Sequence, residues 1–334
     1  MFEFPTTGAR PVWIASYPRS GNTFLRIILR NMFGLPSYSI YYVEGDTHGD
    51  PSAEALEEGA PHLPRNWRER LNAGSGTVYV PIKTHGPPLD EAPTIFIARD
   101  GRAAIHSYFH YHKKFSFEQP SLTEIIAGAC QFGSWSDHYR MWQPKTRPNT
   151  LLVRYEELVG KPEEIVARLA EFLKLEPQHA SLPQFEELQK KLPAFFRRGQ
   201  NTDYLNEWAP AQMALFNQLH AVAMEELGFP LLPSTASSAD TVKELAQSAD
   251  RLHTKYLEQL TNVGSSAAVY QKEIQRLSLQ VHELSRKVDE VLTPLLKTRW
   301  VRLGRVLGVV NTRMNREVAS PVAVEKIARN DCGE

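Results

Sequence analysis

The sequence predicts an α/β fold, with three layers built around a mostly parallel central sheet and a long α-helical extension on the C-terminal side. Three observations predict it. Short apolar runs at 12–16, 78–82, 94–98 and 150–154 have the length and flanks of buried strands. Segments with helical apolar spacing, at 24–33, 102–114, 122–142 and 162–173, alternate with them, and alternation of this kind implies parallel pairing with helices on both faces. Beyond Pro230 and Pro233, the small polar run 234–239 marks a boundary. After it, apolar residues step steadily by three and four.

The first run leads into Ser16-Tyr17-Pro18-Arg19-Ser20-Gly21-Asn22-Thr23-Phe24, a polar turn ahead of a helix that stops at Gly34. Backbone N–H groups at a helix N-terminus favour an anion in front of them. Ser20 and Thr23 add hydroxyl donors, and Arg19 adds a fixed charge. The turn is P-loop-like, but it departs from the Walker pattern: Ser16 stands at the first glycine and Asn22 at the lysine. A nucleoside triphosphatase without that lysine loses its main contact to the outer phosphates, so the turn suits a phosphate-like anion rather than ordinary ATP hydrolysis. Taken alone, it also reads as a capped helix start with a stray arginine.

In parallel sheets, ligands bind beyond the carboxyl ends of the strands. Three further motifs matter. Lys83-Thr84-His85 follows the 78–82 run and places a histidine where it can take a proton from a hydroxyl. Arg99 follows the 94–98 run, and Ser107 stands eight residues later on a helix, so a guanidinium fork and a hydroxyl can meet one phosphate. Phe195-Phe196-Arg197-Arg198-Gly199 is a basic turn able to clamp a phosphate, and also reads as a solvated basic turn. Residues 44–75, rich in Pro, Gly, Glu and Asp, read as a surface excursion.

Composition bounds the function. Lys plus Arg and Asp plus Glu balance at 38 each, so net charge leaves no nucleic-acid footprint and no nucleic-acid partner is expected. The two cysteines, Cys130 and Cys332, lie far apart without metal-ligand spacing, which fits a reducing, cytoplasmic setting. No acidic metal-ligand cluster stands out, and no metal is expected. The N-terminus lacks a basic stretch followed by an apolar run, and no run of about 18 apolar residues suggests a membrane span.

Together the motifs resemble the sulfotransferase family that uses 3′-phosphoadenosine 5′-phosphosulfate (PAPS). That family's Tyr-Pro-Lys-Ser-Gly-Thr-Thr-Trp loop is matched by Tyr17 to Phe24, its Lys-Thr-His by Lys83-Thr84-His85, and its arginine and serine eight apart by Arg99 and Ser107. Its Gly-Ser-Trp with a following histidine is matched by Gly133-Ser134-Trp135 and His138. Its Tyr-Glu after a strand is matched by Tyr155-Glu156, and its late Arg-Lys-Gly by Arg197-Arg198-Gly199. The match is ordered and covers about residues 10–229. Two positions depart from it: Arg19 replaces a lysine and keeps the charge without its labile proton, and Thr202-Asp203-Tyr204 replaces Gly-Asp-Trp.

The resemblance implies transfer of a sulfuryl group from PAPS to an acceptor hydroxyl on a carbohydrate, a glycolipid or another small compound. It implies His85 as general base, with Lys83 and Arg19 at the moving sulfuryl group. Arg19, Ser20, Gly21, Asn22, Thr23 and Phe24 would meet the 5′-phosphosulfate end. Arg99, Ser107, Arg197, Arg198 and Gly199 would hold the 3′-phosphate, and Tyr155 the adenine. Acceptor walls are expected within 36–75, 108–120 and 180–205, from Tyr38, Tyr41, Tyr42, Trp67, Tyr108, Phe109 and Tyr111. Two rival readings stay open: a P-loop kinase-like enzyme, and an inactive sulfotransferase-like scaffold.

Three segments are expected: a catalytic domain over 1–233, a coiled coil or helical hairpin over 234–296, and a basic amphipathic, partly disordered tail over 297–334. The apolar stripe of 242–295, with one skip between Tyr256 and Leu260, suggests a homo-oligomer. Six basic residues and no acidic one within 297–316, together with Trp300, Leu303, Val306, Leu307 and Val310, suggest peripheral contact with the anionic inner face of a membrane. The same face also suits packing on the rest of the chain.

Overall fold

The computed structural model describes residues 4–5, 9–43, 61–72, 78–115, 119–178, 182, 185–191, 202–261, 279–284, 286–287 and 290. In chain order the elements are β1 (Ala9–Ser16), α1 (Asn22–Phe33), β2 (Tyr38–Ser39), α2 (Trp67–Asn72), β3 (Val78–Thr84), β4 (Thr94–Ala98) and α3 (Gly101–Phe115). There follow α4 (Leu122–Ala127), α5 (Trp135–Trp142), β5 (Thr150–Arg154), α6 (Tyr155–Gly160), α7 (Pro162–Leu173), α8 (Phe185–Lys191), α9 (Tyr204–Glu207), α10 (Pro210–Glu226) and α11 (Ser238–Thr261). The chain divides into two compact units. One comprises 1–119, 135–207 and 220–231, and the other 120–134, 208–219 and 232–334.

The sheet of the first unit is parallel throughout, in the order β2-β3-β1-β4-β5. The α/β fold with a parallel central sheet is therefore as expected. β1 is central and runs almost wholly buried from Val12 to Ser16, as a strand covered on both faces must. One face packs Val12, Ile14, Ile95, Ile97 and Val153 against α1 and α7 through Phe24, Ile28, Ile165 and Leu169. The opposite face carries aromatic packing, with Phe96 of β4 against His138 and Trp142 of α5 at ring separations of 5.5 and 6.3 Å. The register aligns the strand ends: Ala15 lies opposite Thr84, and Ser16 opposite Ile97. Everything that follows β1, β3 and β4 is thus delivered to one rim, and β1, flanked by β3 and β4, is the switch point where such sheets bind ligands.

Several local expectations change. The helical stretch expected over 122–142 is two helices, because Gly128 takes φ 85° and caps α4, and a Cβ there would stand 2.6 Å from the Ser134 nitrogen. The excursion expected over 44–75 contains α2, and β2 adds a two-residue edge that no apolar run announced.

In the second unit, α11 extends from Ser238 to Thr261 and buries Thr241, Leu245 and Ser248. Glu244 accepts from Thr123 Oγ1 at 2.9 Å, and Arg251 lies 3.5 Å from Glu124 of α4. The start of the 242–295 stripe is therefore used within the chain. Most of the remainder of that stripe, and all of 297–334, lies outside the described residues. Among the described residues no helix is long and apolar enough to cross a membrane.

His138 supplies a stability test. It is fully buried among Tyr17, Phe96 and Trp142, and neither ring nitrogen has a hydrogen-bond partner. Burial pushes its imidazole down from 6.5 to about 3. The folded chain therefore keeps it neutral while the unfolded chain protonates it. Its contribution is intact above about pH 6.5 and is lost as pH falls toward 3, at up to about 1.4 kcal/mol per pH unit. Urea midpoints recorded across that window should fall in wild type and fall less steeply in His138→Phe; parallel slopes would show that another group carries the effect.

Candidate active site

The turn between β1 and α1 is shaped by two left-handed residues, Arg19 at φ 64° and Gly21 at φ 98°. For arginine this conformation costs about 1–2 kcal/mol, and strain of this kind collects at ligand-holding loops. No side chain caps α1 and no acidic residue stands in its first turn, so its N-terminal N–H groups and dipole face forward, ready for an anion. Ser20 is buried at 1% exposure, and its hydroxyl has no hydrogen-bond partner. A buried hydroxyl left this way costs free energy unless something in front of it accepts or donates, which fits an anionic ligand. The side chain of Asn22 is turned inward instead: Nδ2 donates to Ile14 O at 3.1 Å and to Ser16 Oγ at 3.2 Å. It ties the helix start to β1, leaving the backbone as its means of meeting an anion. Thr23 is buried in the first turn. Phe24 is core, 1% exposed and edge-on to Phe185 at 5.5 Å.

At the end of β3, His85 Nδ1 lies 2.7 Å from the Ser16 carbonyl oxygen. A carbonyl only accepts, so Nδ1 carries the proton and the lone pair is on Nε2. That is the tautomer a general base needs, and the carbonyl would continue to hold the ring once it is charged. The His85 backbone N–H donates to Tyr41 Oη at 2.7 Å, and the two rings stack at 6.0 Å with a 17° tilt. Burial pushes the Tyr41 phenol up, partly offset by hydrogen bonds from His85, Thr84 and Gly86. Lys83, near the end of β3 and two residues before His85, is partly buried.

On the other side of the loop, Arg99 Nη1 donates to Arg19 O at 2.7 Å, and its guanidinium lies 4.2 Å from the centre of the Tyr155 ring. Arg19 Nε reaches Ser107 Oγ at 3.4 Å. Arg19, Arg99, Ser107 and Tyr155 thus form one cluster. Burial pushes the Tyr155 phenol up while Arg99 and Arg19 pull it down. In the turn that follows Arg99, Asp100 accepts from Arg102 Nε at 3.0 Å, from Nη2 at 2.6 Å and from the Arg102 backbone N–H at 2.9 Å. Sequence reasoning missed Asp100 and Arg102; an aspartate just before a helix start, with arginine two residues on, was the available signal. Arg197, Arg198 and Gly199 lie outside the described residues.

The sulfotransferase-domain family model matches residues 9–228. The chain belongs to the sulfotransferase family. As a sulfotransferase it transfers a sulfuryl group. Its relatives include sulfotransferase 1 family member D1 of Rattus norvegicus, 24% identical over 263 residues that cover 65% of this chain and 85% of that protein. Sulfotransferase 2B1 of Homo sapiens is 26% identical, covering 66% and 67%. Sulfotransferase 1B1 of Mus musculus is 32% identical over 187 residues, covering 51% and 60%. Among solved structures, mouse sulfotransferase SULT7A1 complexed with PAP is 18% identical with a TM-score of 0.45, covering 65% of this chain and 85% of that one.

Gly21 gives the sulfotransferase loop a sharp test. A Cβ there would stand 2.7 Å from Tyr155 Cδ2 and 3.3 Å from Leu158 Cδ2, and φ is 98°. Gly21→Ala is expected to destabilise by on the order of 1–3 kcal/mol, visible in thermal melting. A melting temperature equal to wild type would mean that the loop does not hold this conformation in solution.

Proposed function

We propose that this sulfotransferase takes its sulfuryl group from PAPS and delivers it to an acceptor hydroxyl, with His85 as the base. The observation that carries the reading is the His85 Nδ1 to Ser16 carbonyl contact at 2.7 Å, which leaves Nε2 basic beside an anion-binding turn. PAPS supplies an activated sulfuryl group on a phosphate leaving group. Nε2 of His85 takes the acceptor's proton as the hydroxyl attacks, and the developing imidazolium is held by Ser16 O. Lys83 and Arg19 place positive charge where the sulfuryl oxygens and the departing phosphate gain negative charge. The N–H groups of 20–23 and the Ser20 hydroxyl bind the 5′ end of the donor. Arg99 and Ser107, with Arg197, Arg198 and Gly199, bind the 3′-phosphate, and Tyr155 lies under Arg99 to receive the adenine side of the donor.

The acceptor walls divide by burial. Tyr38, Trp67 and Tyr108 are buried at 2%, 6% and 3% exposure and pack on Phe4, Trp13 and Tyr17. That leaves the half-buried Tyr41, Tyr42, Phe109 and Tyr111 as the better candidates to contact acceptor. Aromatic faces of this kind suit sugars as well as planar rings, consistent with a carbohydrate or glycolipid hydroxyl.

Binding calorimetry separates this reading from a kinase-like one. Adenosine 3′,5′-bisphosphate (PAP) is expected to bind far more tightly than ATP. The reverse order would overturn the donor assignment.

A further inference from the structure

We propose that His106, His110 and Glu207 form a site for a divalent transition ion of the zinc class. Their candidate ligand atoms all lie within 4.8 Å of one another. His106 and His110 stand four apart on α3, on one helix face, the spacing by which two imidazoles share a metal. Glu207, the last residue of α9, brings one carboxylate oxygen to 2.8 Å from His110 Nε2 and the other to 3.7 Å from His106 Nε2. Metal–ligand bonds of about 2.0–2.2 Å in a tetrahedral site separate ligand atoms by roughly 3.2–3.6 Å. The two observed separations bracket that range, so small side-chain shifts suffice. Two neutral imidazoles and one carboxylate are a zinc-type donor set rather than the all-oxygen set of calcium or magnesium. The side chain of His106 is 5% exposed and pre-positioned, whereas that of Glu207 is 44% exposed, leaving the fourth position to solvent.

The placement suggests a role. His106 directly precedes Ser107, and Glu207 follows Gly199 by eight residues. An ion here would fasten the chain just after 197–199 to the helix that carries Ser107. On the reading above, both stretches serve the donor's 3′-phosphate, so the ion would slow donor or product release without touching the reacting atoms. This consequence rests on the proposed donor assignment; metal binding itself does not.

The test is a Co²⁺ titration of tag-free, chelator-treated full-length protein, followed by visible absorption. One equivalent per chain is expected to give the ligand-field bands of a low-coordinate Co²⁺ site, removed by competing Zn²⁺. The bands should be lost in His110→Ala and in Glu207→Ala, with circular dichroism and metal-free melting checked to show both variants folded. Absence of bands in wild type, or bands kept in both folded variants, overturns the site. Zn²⁺ should also slow PAP dissociation in wild type and not in Glu207→Ala; bands with an unchanged dissociation rate would retain the site and overturn the coupling.

Discussion

Replacing His85 with alanine is expected to cut turnover by on the order of 10²- to 10⁴-fold, the usual worth of a positioned general base, while PAP affinity stays near wild type. The separation follows from geometry. His85 is anchored through Nδ1 to the Ser16 carbonyl and through its backbone to Tyr41, whereas the proposed donor contacts lie on the loop and at Arg99. His85→Gln serves as a companion: its amide can still donate to Ser16 O but supplies no base of comparable strength, so it should be nearly as slow as alanine. If glutamine restored turnover, the contact to Ser16 would be the whole role of residue 85, and proton transfer would belong elsewhere. Tyr41→Phe removes the acceptor of the His85 N–H while keeping the ring, and a smaller loss in turnover is expected there.

Arg99→Ala is expected to weaken PAP by on the order of 10- to 100-fold, since removing a charge-assisted contact costs about 1.5–3 kcal/mol. Arg99 has one observed contact that holds the loop and one proposed duty at the 3′-phosphate. It donates to Arg19 O, which stabilises the loop, and it stacks on Tyr155 beside Arg19 and Ser107. Loosening the loop weakens every nucleotide; losing the 3′-phosphate contact weakens only those that carry one. Calorimetry with PAP and AMP therefore separates the two duties, with the loss for PAP expected to exceed that for AMP clearly. Equal losses would assign Arg99 to the loop alone.

These expectations trace back to the sequence unequally. The β1 run, the turn and α1 were legible because apolar burial, a polar turn and Gly34 are local signals, and Gly34 does cap the helix at φ 64°. The parallel sheet was legible because strands alternated with helices. Side-chain direction was not. Phe24 and Asn22 sit in the same motif as Ser20, yet one belongs to the core and the other is bonded back to β1; both outcomes depend on partners distant in sequence, such as Phe185, or on strand geometry. Tyr38, Trp67 and Tyr108 read as ligand-facing aromatics, but tertiary packing buries them. The protonated nitrogen of His85 depends on a carbonyl 69 positions away in sequence, which only the register of β1 against β3 brings alongside. The break within 122–142 was signalled by Gly128 and Gly133, whose left-handed backbone a continuous helix cannot accommodate.

The most direct measurement is transfer itself. Wild type and His85→Ala are incubated with sulfur-labelled PAPS and a panel of sugar, glycolipid, steroid and phenol hydroxyls, with γ-labelled ATP run in parallel. Labelled acceptor is expected from PAPS with wild type, together with equimolar PAP, and at least 10²-fold more slowly with His85→Ala; ATP is expected to give none. Equal rates for the two proteins, or label arriving from ATP instead, would contradict the account.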